Sequence, residues 1–183
     1  MKKNLKRIRV NKFEKEIEIK FKIDENIVSR LKNLKLEYYE ELDEYFFASK
    51  EIIGKRIFLR LRTKKGKIFL NLKVITKGGK DADIYEADEI ETEITKEQYE
   101  KIKEIFNTVF PIRMQVKKKR SVGMLNGCKL FYDKVDNLGD FLEIEGSREK
   151  MFEICKSFNI DIEKQRDREE GYAIMTLKKM GLI

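Results

Sequence analysis

The stretch "EKEIEIKFKI", Glu14 to Ile23, carries charge at Glu14, Glu16, Glu18, Lys20 and Lys22 and apolar side chains at Ile17, Ile19, Phe21 and Ile23. Only Lys15 falls out of step. A period of two is the mark of a β-strand whose faces differ, one buried among apolar groups and one not. Along the charged face carboxylates come first and ammonium groups follow. Solvent alone would tolerate such a row, but an ordered row of both signs also suits a face that binds something charged.

The same pattern recurs downstream. "LRLR" alternates Arg60 and Arg62 with Leu59 and Leu61, and "LNLK" sets Lys73 against Leu70 and Leu72. "EIETEI" aligns Glu89, Glu91 and Glu93 against Ile90 and Ile94. "VKKKR" spaces Lys118 and Arg120 two apart, with Lys117 or Lys119 replacing Lys118 if the strand is bulged there. "FLEIE" repeats the device with Glu143 and Glu145.

Between these rows the chain reads as hairpins with few helices. Asp24 caps a helix whose apolar residues are Ile27, Leu31 and Leu34. "LEYYEELDEYFFAS" returns to strand, and "KRIFLRLRTKKGKIFLNLKVITK" is a hairpin turning at Lys65-Gly66. "GGKDAD" is a polar loop before the strand "IYEADEIETEI". Thr95 with Gln98 forms a capping box for a helix to about Val109. "IRMQVKKKRSVGML" and "CKLFYDKV" are strands joined at Asn126-Gly127, the favoured two-residue turn. "DNLGD" turns the chain into "FLEIEG", and from Ser147 onward the pattern is helical. About eight antiparallel strands with flanking helices predict an α+β fold, a meander closing into a β-barrel, as one domain over residues 1–183.

Composition narrows the chemistry. The 183 residues suffice for a core without staples. Apolar residues make up 41% and charged residues 40%, and the net charge of +8 favours nucleic acid, nucleotide, polyphosphate or an acidic membrane as partner. With no histidine, Ser-His-Asp and Cys-His catalysis and imidazole zinc sites are excluded. Cys128 and Cys155 have no metal-ligand spacing and read as reduced core thiols of a cytoplasmic protein. No apolar run approaches the ~20 residues of a membrane span, and "MKKNLKRIRVNK" is followed by no apolar signal core. Phe46, Phe47, Phe58 and Phe69 read as core rather than as stacking platforms.

In a small closed barrel one face of every strand points inward. Six rows with charge on one face only weaken the view that each is merely solvated. If they line one cavity, its cations are Lys20, Arg60, Arg62, Lys73, Lys118 and Arg120. Its anions are Glu16, Glu18, Glu89, Glu91, Glu143 and Glu145, with Asp133 of "YDKV" a further candidate. So many charges cannot be buried unpaired. A polyanion would satisfy the cations, and hard divalent ions such as Mg²⁺ or Mn²⁺ would satisfy oxygen-only ligands. A triphosphate with bound metal meets both needs.

With those residues in view, the chain resembles the CYTH, or triphosphate tunnel metalloenzyme, superfamily. "EIEIK" is similar to its E-x-E-x-K opening, and the likeness continues through "DEYF", "LRLR", "LK", "EIETE", "KKKR" and "DKVDNLGDFLEIE" across about 130 residues. The resemblance implies an eight-stranded antiparallel tunnel with flanking helices. "YDKVDNLGDFLEIE" is most similar to class IV adenylyl cyclases. Three features depart from that branch: Ala87 and Asp88 stand where a basic residue is common, Gly171-Tyr172 stands for Ser-Tyr, and no histidine lies near the R-x-R strand.

The resemblance implies these roles. Glu16, Glu18, Glu143 and Glu145 would hold Mg²⁺ or Mn²⁺, with Asp133 and Glu91 assisting. Lys20, Arg60, Arg62, Lys73, Lys118 and Arg120 would clamp phosphate oxygens. Glu16, Glu18, Lys20 and Asp133 are the expected catalytic set. The activity implied is conversion of ATP to cyclic AMP and pyrophosphate. The alternative is hydrolysis of tripolyphosphate, a nucleoside triphosphate or thiamine triphosphate. A non-catalytic polyphosphate- or RNA-binding protein is the reading from another class, and it leaves the paired glutamates unexplained. The expected partner is a triphosphate-bearing small molecule rather than nucleic acid or membrane, in a chain that a homodimer would also suit.

Overall fold

The opening alternation does form a strand, and its two faces meet different surroundings. The structure is a computed structural model that describes residues 14–77, 84–162 and 171–183. In β1 (Glu14–Lys22), Ile19 and Phe21 are completely buried outside the barrel wall, while Glu16, Glu18 and Lys20 point inside. The other strands are β2 (Glu37–Phe47), β3 (Ile57–Lys64), β4 (Lys67–Lys77), β5 (Tyr85–Ile94), β6 (Ile112–Leu125), β7 (Cys128–Val135) and β8 (Gly139–Glu145).

All eight pair antiparallel in one closed barrel of order β1-β5-β4-β3-β2-β6-β7-β8. The expected closed barrel is therefore present, but it is not one simple meander. Strands β2 to β5 form one meander and β6 to β8 another. The seams are the long β2–β6 pairing and β1, whose first half pairs with β5 and whose second half pairs with β8. The tight turns fall where the sequence placed them. Lys65-Gly66 and Asn126-Gly127 each have two successive residues at positive φ, as a two-residue hairpin turn requires.

Helices carry the chain across the seams. Asp24 accepts a hydrogen bond from the Ile27 amide (3.0 Å) and starts α1 (Glu25–Leu31) between β1 and β2. Thr95 and Gln98 make the reciprocal capping box of α3 (Lys96–Val109), which links β5 to β6. A short α2 (Lys50–Gly54), capped by Ser49, joins β2 to β3 and was not read from the sequence. After the barrel come α4 (Arg148–Ser157) and α5 (Tyr172–Lys179). The sequence "GGKDAD" and the helical reading over 163–170 lie outside the described residues.

Apolar side chains have two homes. Outside the wall, Ile19, Phe21, Leu130, Leu142 and Ile144 pack under α1 and α4 through Leu31, Met151 and Ile154. Inside, at one end of the barrel, Phe47, Phe58, Val116 and Phe141 pack against Tyr172 and Leu177 of α5. Each fully buried side chain of this size contributes ~1.5–3 kcal/mol. The remaining interior is left to charge.

Candidate functional site

The inward rows of eight strands meet in a cavity of about 660 Å³. Its charged lining is Glu16, Glu18 and Lys20 of β1, Arg60 and Arg62 of β3, Lys73 of β4, Glu89 of β5, Lys118 and Arg120 of β6, and Glu143 and Glu145 of β8. Lys118 is the inward lysine of its run, since Lys117 and Lys119 are exposed on the outer face. All six expected cations therefore share one space. Asp133 lies behind this lining, fully buried, and Glu91 stands at the mouth. Glu93, from the same row, pairs with Lys67 in solvent.

Each cation is held by carboxylates. Lys20 lies 2.8 Å from Glu143. Arg120 forks onto Asp133 and reaches Glu143 at 2.6 Å. Lys73 lies 2.6 Å from Glu16 and 3.5 Å from Glu18. Arg60 donates to Asn71 (2.8 Å), Tyr45 (3.0 Å) and Glu89 (3.2 Å). Arg62 donates to Asp43 (2.7 Å) and Glu91 (3.2 Å). Lys118 lies 2.6 Å from Glu41 and 3.2 Å from Asp43. Pairing across strands thus occurs inside the barrel as well as on its surface, where Lys67 meets Glu93 and Lys77 meets Glu86.

Five residues of this network were given no role in the sequence reading: Glu41, Asp43 and Tyr45 of β2, Asn71 of β4 and Tyr172 of α5. The signal for the first three was present, because "ELDEY" alternates like the other rows. Glu40 and Glu44 on the opposite face of β2 put charge on both sides and hid the period. Of the phenylalanines, Phe47 and Phe58 are core, and Phe46 is buried beneath α3. Phe69 is not core: it is half-buried at the tunnel mouth with Lys64 Nζ 4.6 Å from its ring centre.

The charge balance has a consequence. Five carboxylates line the cavity, and Glu41, Asp43 and Asp133 stand behind them, so eight carboxylates face six cations. The imbalance is local. Burial alone would raise the Asp43 carboxyl, yet Arg62, Lys118 and Arg60 outweigh it and hold Asp43 well below the usual range. Glu143 is likewise held low against burial by Lys20 and Arg120. Glu16 fares differently. Burial, only partly offset by Lys73, together with repulsion from Glu89 and Glu18, pushes it up to about 7. Glu18 is the cross-strand partner of Glu145, and Glu14 that of Glu89, so β5, β1 and β8 bring their carboxylates together on adjoining strands.

This acidic corner fits a divalent cation by charge and by donor type, since all its ligands are oxygens. As the side chains lie, no three Asp, Glu, Cys or His groups among the described residues converge into a formed metal site. Asp133, Glu143 and Glu91 are already engaged by Arg120, by Lys20 and Arg120, and by Arg62 and Lys64 respectively. No helix among the described residues is long and apolar enough to cross a membrane.

Comparison with known proteins agrees with this geometry. The CYTH domain family model matches residues 14–160. A conserved hypothetical protein from Pyrococcus furiosus is 31% identical, with a TM-score of 0.71 over 87% of this chain and 99% of its own. The PH1012 protein of Pyrococcus horikoshii is 24% identical, with a TM-score of 0.70 over 87% of this chain and 98% of its own. HpAC1 from Hippeastrum, which has a dominant triphosphatase activity, is 16% identical with a TM-score of 0.63, over 92% of this chain and 97% of its own, a likeness of fold alone. No curated protein matches the chain. A barrel lined in this way, with the family model covering most of its length, belongs to the CYTH-domain family.

Proposed function

We propose that the protein is a divalent-metal-dependent enzyme acting on a triphosphate, most like a class IV adenylyl cyclase. The observation that carries this reading is the convergence of six cations, five of them buried, and an under-neutralised carboxylate corner on one space inside the barrel. A triphosphate satisfies the cations but brings further negative charge to an interior already in excess of carboxylate. Only added metal cations balance that sum.

In this reading Lys20, Arg60, Arg62, Lys73, Lys118 and Arg120 grip the phosphoryl oxygens, the arginines by bidentate forks and the lysines as point charges. Glu16, Glu18 and Glu145, whose charges are least matched, would hold Mg²⁺ or Mn²⁺. Glu143, Asp133 and Glu91 serve chiefly by fixing Lys20, Arg120 and Arg62. Bound metal would supply charge neutralisation at the transferred phosphoryl and make an attacking hydroxyl or water more acidic. The rest is positioning and a preorganised field. In the cyclase reaction the ribose 3′-oxygen displaces pyrophosphate from the α-phosphorus.

Triphosphate hydrolysis shares the tunnel, and one observation favours it. Each aromatic ring lining the cavity already contacts a cation or another ring: Arg120 lies 4.4 Å from the centre of Phe131, Arg60 lies 5.7 Å from that of Tyr45, Lys20 lies 4.3 Å from that of Tyr172, and Phe58 meets Tyr45 edge-on. A base stacked inside the cavity would compete with those contacts. Incubation with ATP, tripolyphosphate and thiamine triphosphate under Mg²⁺ or Mn²⁺ separates the two. Cyclic AMP with pyrophosphate marks the cyclase, orthophosphate marks the hydrolase, and no product under either metal counts against both.

A further inference from the structure

The row "LNLK" sets one uncharged polar residue among the charges. Asn71 of β4 stands directly opposite Arg60 of β3 on one side and Glu91 of β5 on the other. It is 0% exposed and lies behind the side chains that line the cavity, Arg60 and Glu89 among them. Its Oδ1 accepts a hydrogen bond from Arg60 Nε at 2.8 Å, and its Nδ2 donates to Glu89 and, at 3.2 Å, to Glu91. Both amide hydrogens thus go to carboxylates, and the oxygen is left for the guanidinium. A carboxamide is the side chain that serves neighbours of both signs at once. Aspartate here would set a third carboxylate against two others, and leucine would leave the Arg60 Nε–H without an acceptor.

The three nitrogens of Arg60 are not held alike. Nη1 donates to Tyr45 (3.0 Å) and Nη2 to Glu89 (3.2 Å), and both partners line the cavity, where an entering anion competes for the same hydrogens. Nε donates to Asn71, behind the lining and away from that competition. The contact that survives ligand entry is therefore the one to Asn71.

We propose that Asn71 is a positioning residue of the phosphate site. By holding Arg60 Nε from behind, it aims Nη1 and Nη2 at phosphoryl oxygens before the ligand arrives. A guanidinium already in place loses less conformational freedom on binding than a free one. This rests on the triphosphate reading above and adds how one of its cations is kept in register. Asn71 itself touches no ligand atom and acts through Arg60.

The test is a double-substitution cycle on the full chain, read as calorimetric binding of tripolyphosphate with Mg²⁺. Asn71→Leu keeps a similar shape and removes all three hydrogen bonds. Arg60→Lys keeps the charge and removes the Nε–H that Asn71 accepts. Each alone should weaken binding about tenfold, the loss of about one charge-assisted contact. The double variant should also be weakened about tenfold, not about a hundredfold, because Asn71 then has nothing to hold. A role in packing alone would not depend on the residue at position 60, and the two losses would multiply. Losses that multiply to within about twofold overturn the proposal, as does an Asn71→Leu protein that binds within about twofold of the unaltered chain. If Asn71→Leu does not fold, Asn71→Ser, whose hydroxyl keeps one acceptor and one donor, enters the same cycle with an expected loss of about threefold and is judged by the same criteria. An Arg60→Lys protein that binds like the unaltered chain overturns the proposal but leaves the triphosphate reading on the other five cations. Failure of the unaltered chain to bind tripolyphosphate sinks the triphosphate reading itself, and the proposal with it.

Discussion

Asp43 touches Arg60, Arg62 and Lys118, three cations from two strands, and is itself almost fully buried. Removing it in Asp43→Ala leaves those charges without their shared partner, and breaking a buried pair in this way costs about 3–5 kcal/mol. Denaturant unfolding should show that loss, and tripolyphosphate should restore part of it by supplying the missing anion. Glu16 makes the opposite case. Its carboxyl takes up a proton near 7 instead of near the usual 4.5, so its contribution to stability is full below about 4.5 and is lost as pH rises through 7. With no histidine in the chain, few other groups titrate between about pH 5 and pH 8, the terminal amine being one. The melting temperature of the metal-free protein should therefore fall across that range, and Glu16→Gln should flatten the fall. A slope unchanged in Glu16→Gln would count against the crowded-carboxylate account. Neither behaviour was legible in the sequence. Strict alternation gave away which residues face inward on β1, β3, β5, β6 and β8, but not which carboxylates would find a cation across the barrel. That depends on register between strands far apart in the chain.

Among the elements, α3 shows how the wall is held from outside. It has no fully buried residue, yet it is fixed to the barrel by Glu44 of β2. That carboxylate accepts hydrogen bonds from Lys103 (2.7 Å), Gln115 (3.0 Å) and the Tyr99 hydroxyl, while Phe46 packs edge-on against Phe106. Glu44→Ala should cost about 0.5–1.5 kcal/mol, the net loss of such hydrogen bonds when the partners, Lys103, Tyr99 and Gln115, can still reach water. Amide exchange should quicken along α3, while tripolyphosphate binding holds, because Glu44 faces away from the cavity. The extent of α3 was readable because its capping box is local chemistry. So were the hairpins, fixed by Lys65-Gly66 and Asn126-Gly127. The places where reading stopped are non-local. Splitting β1 between β5 and β8 leaves no trace in β1 itself, and α5 looks like any amphipathic helix until Tyr172 is seen under two lysines.

For the molecule as a whole the decisive quantity is the sum of charges inside the barrel. Net positive charge over the chain, +8, would by itself suggest a protein that collects polyanions. The interior runs the other way, with eight carboxylates against six cations, so the basic surplus lies elsewhere in the chain. A polyanion and a metal ion therefore need each other there. Tripolyphosphate alone adds negative charge to the Glu16–Glu18–Glu145 corner, and Mg²⁺ or Mn²⁺ alone sits beside the Lys73 ammonium. Bound together, each removes the other's penalty. Melting temperature should rise more with both ligands present than the two separate rises combined, with stabilisation of about 2.7 kcal/mol at a hundred times the dissociation constant. Replacing both Glu16 and Glu18 by Gln cancels two of the charges that call for metal. In that variant the synergy and metal-dependent turnover should vanish, while tripolyphosphate alone should bind as well as before or better. Turnover that persists in the double variant would refute the assignment of metal to these carboxylates. Tripolyphosphate bound equally well with and without metal by the unaltered chain would favour the non-catalytic polyanion binder.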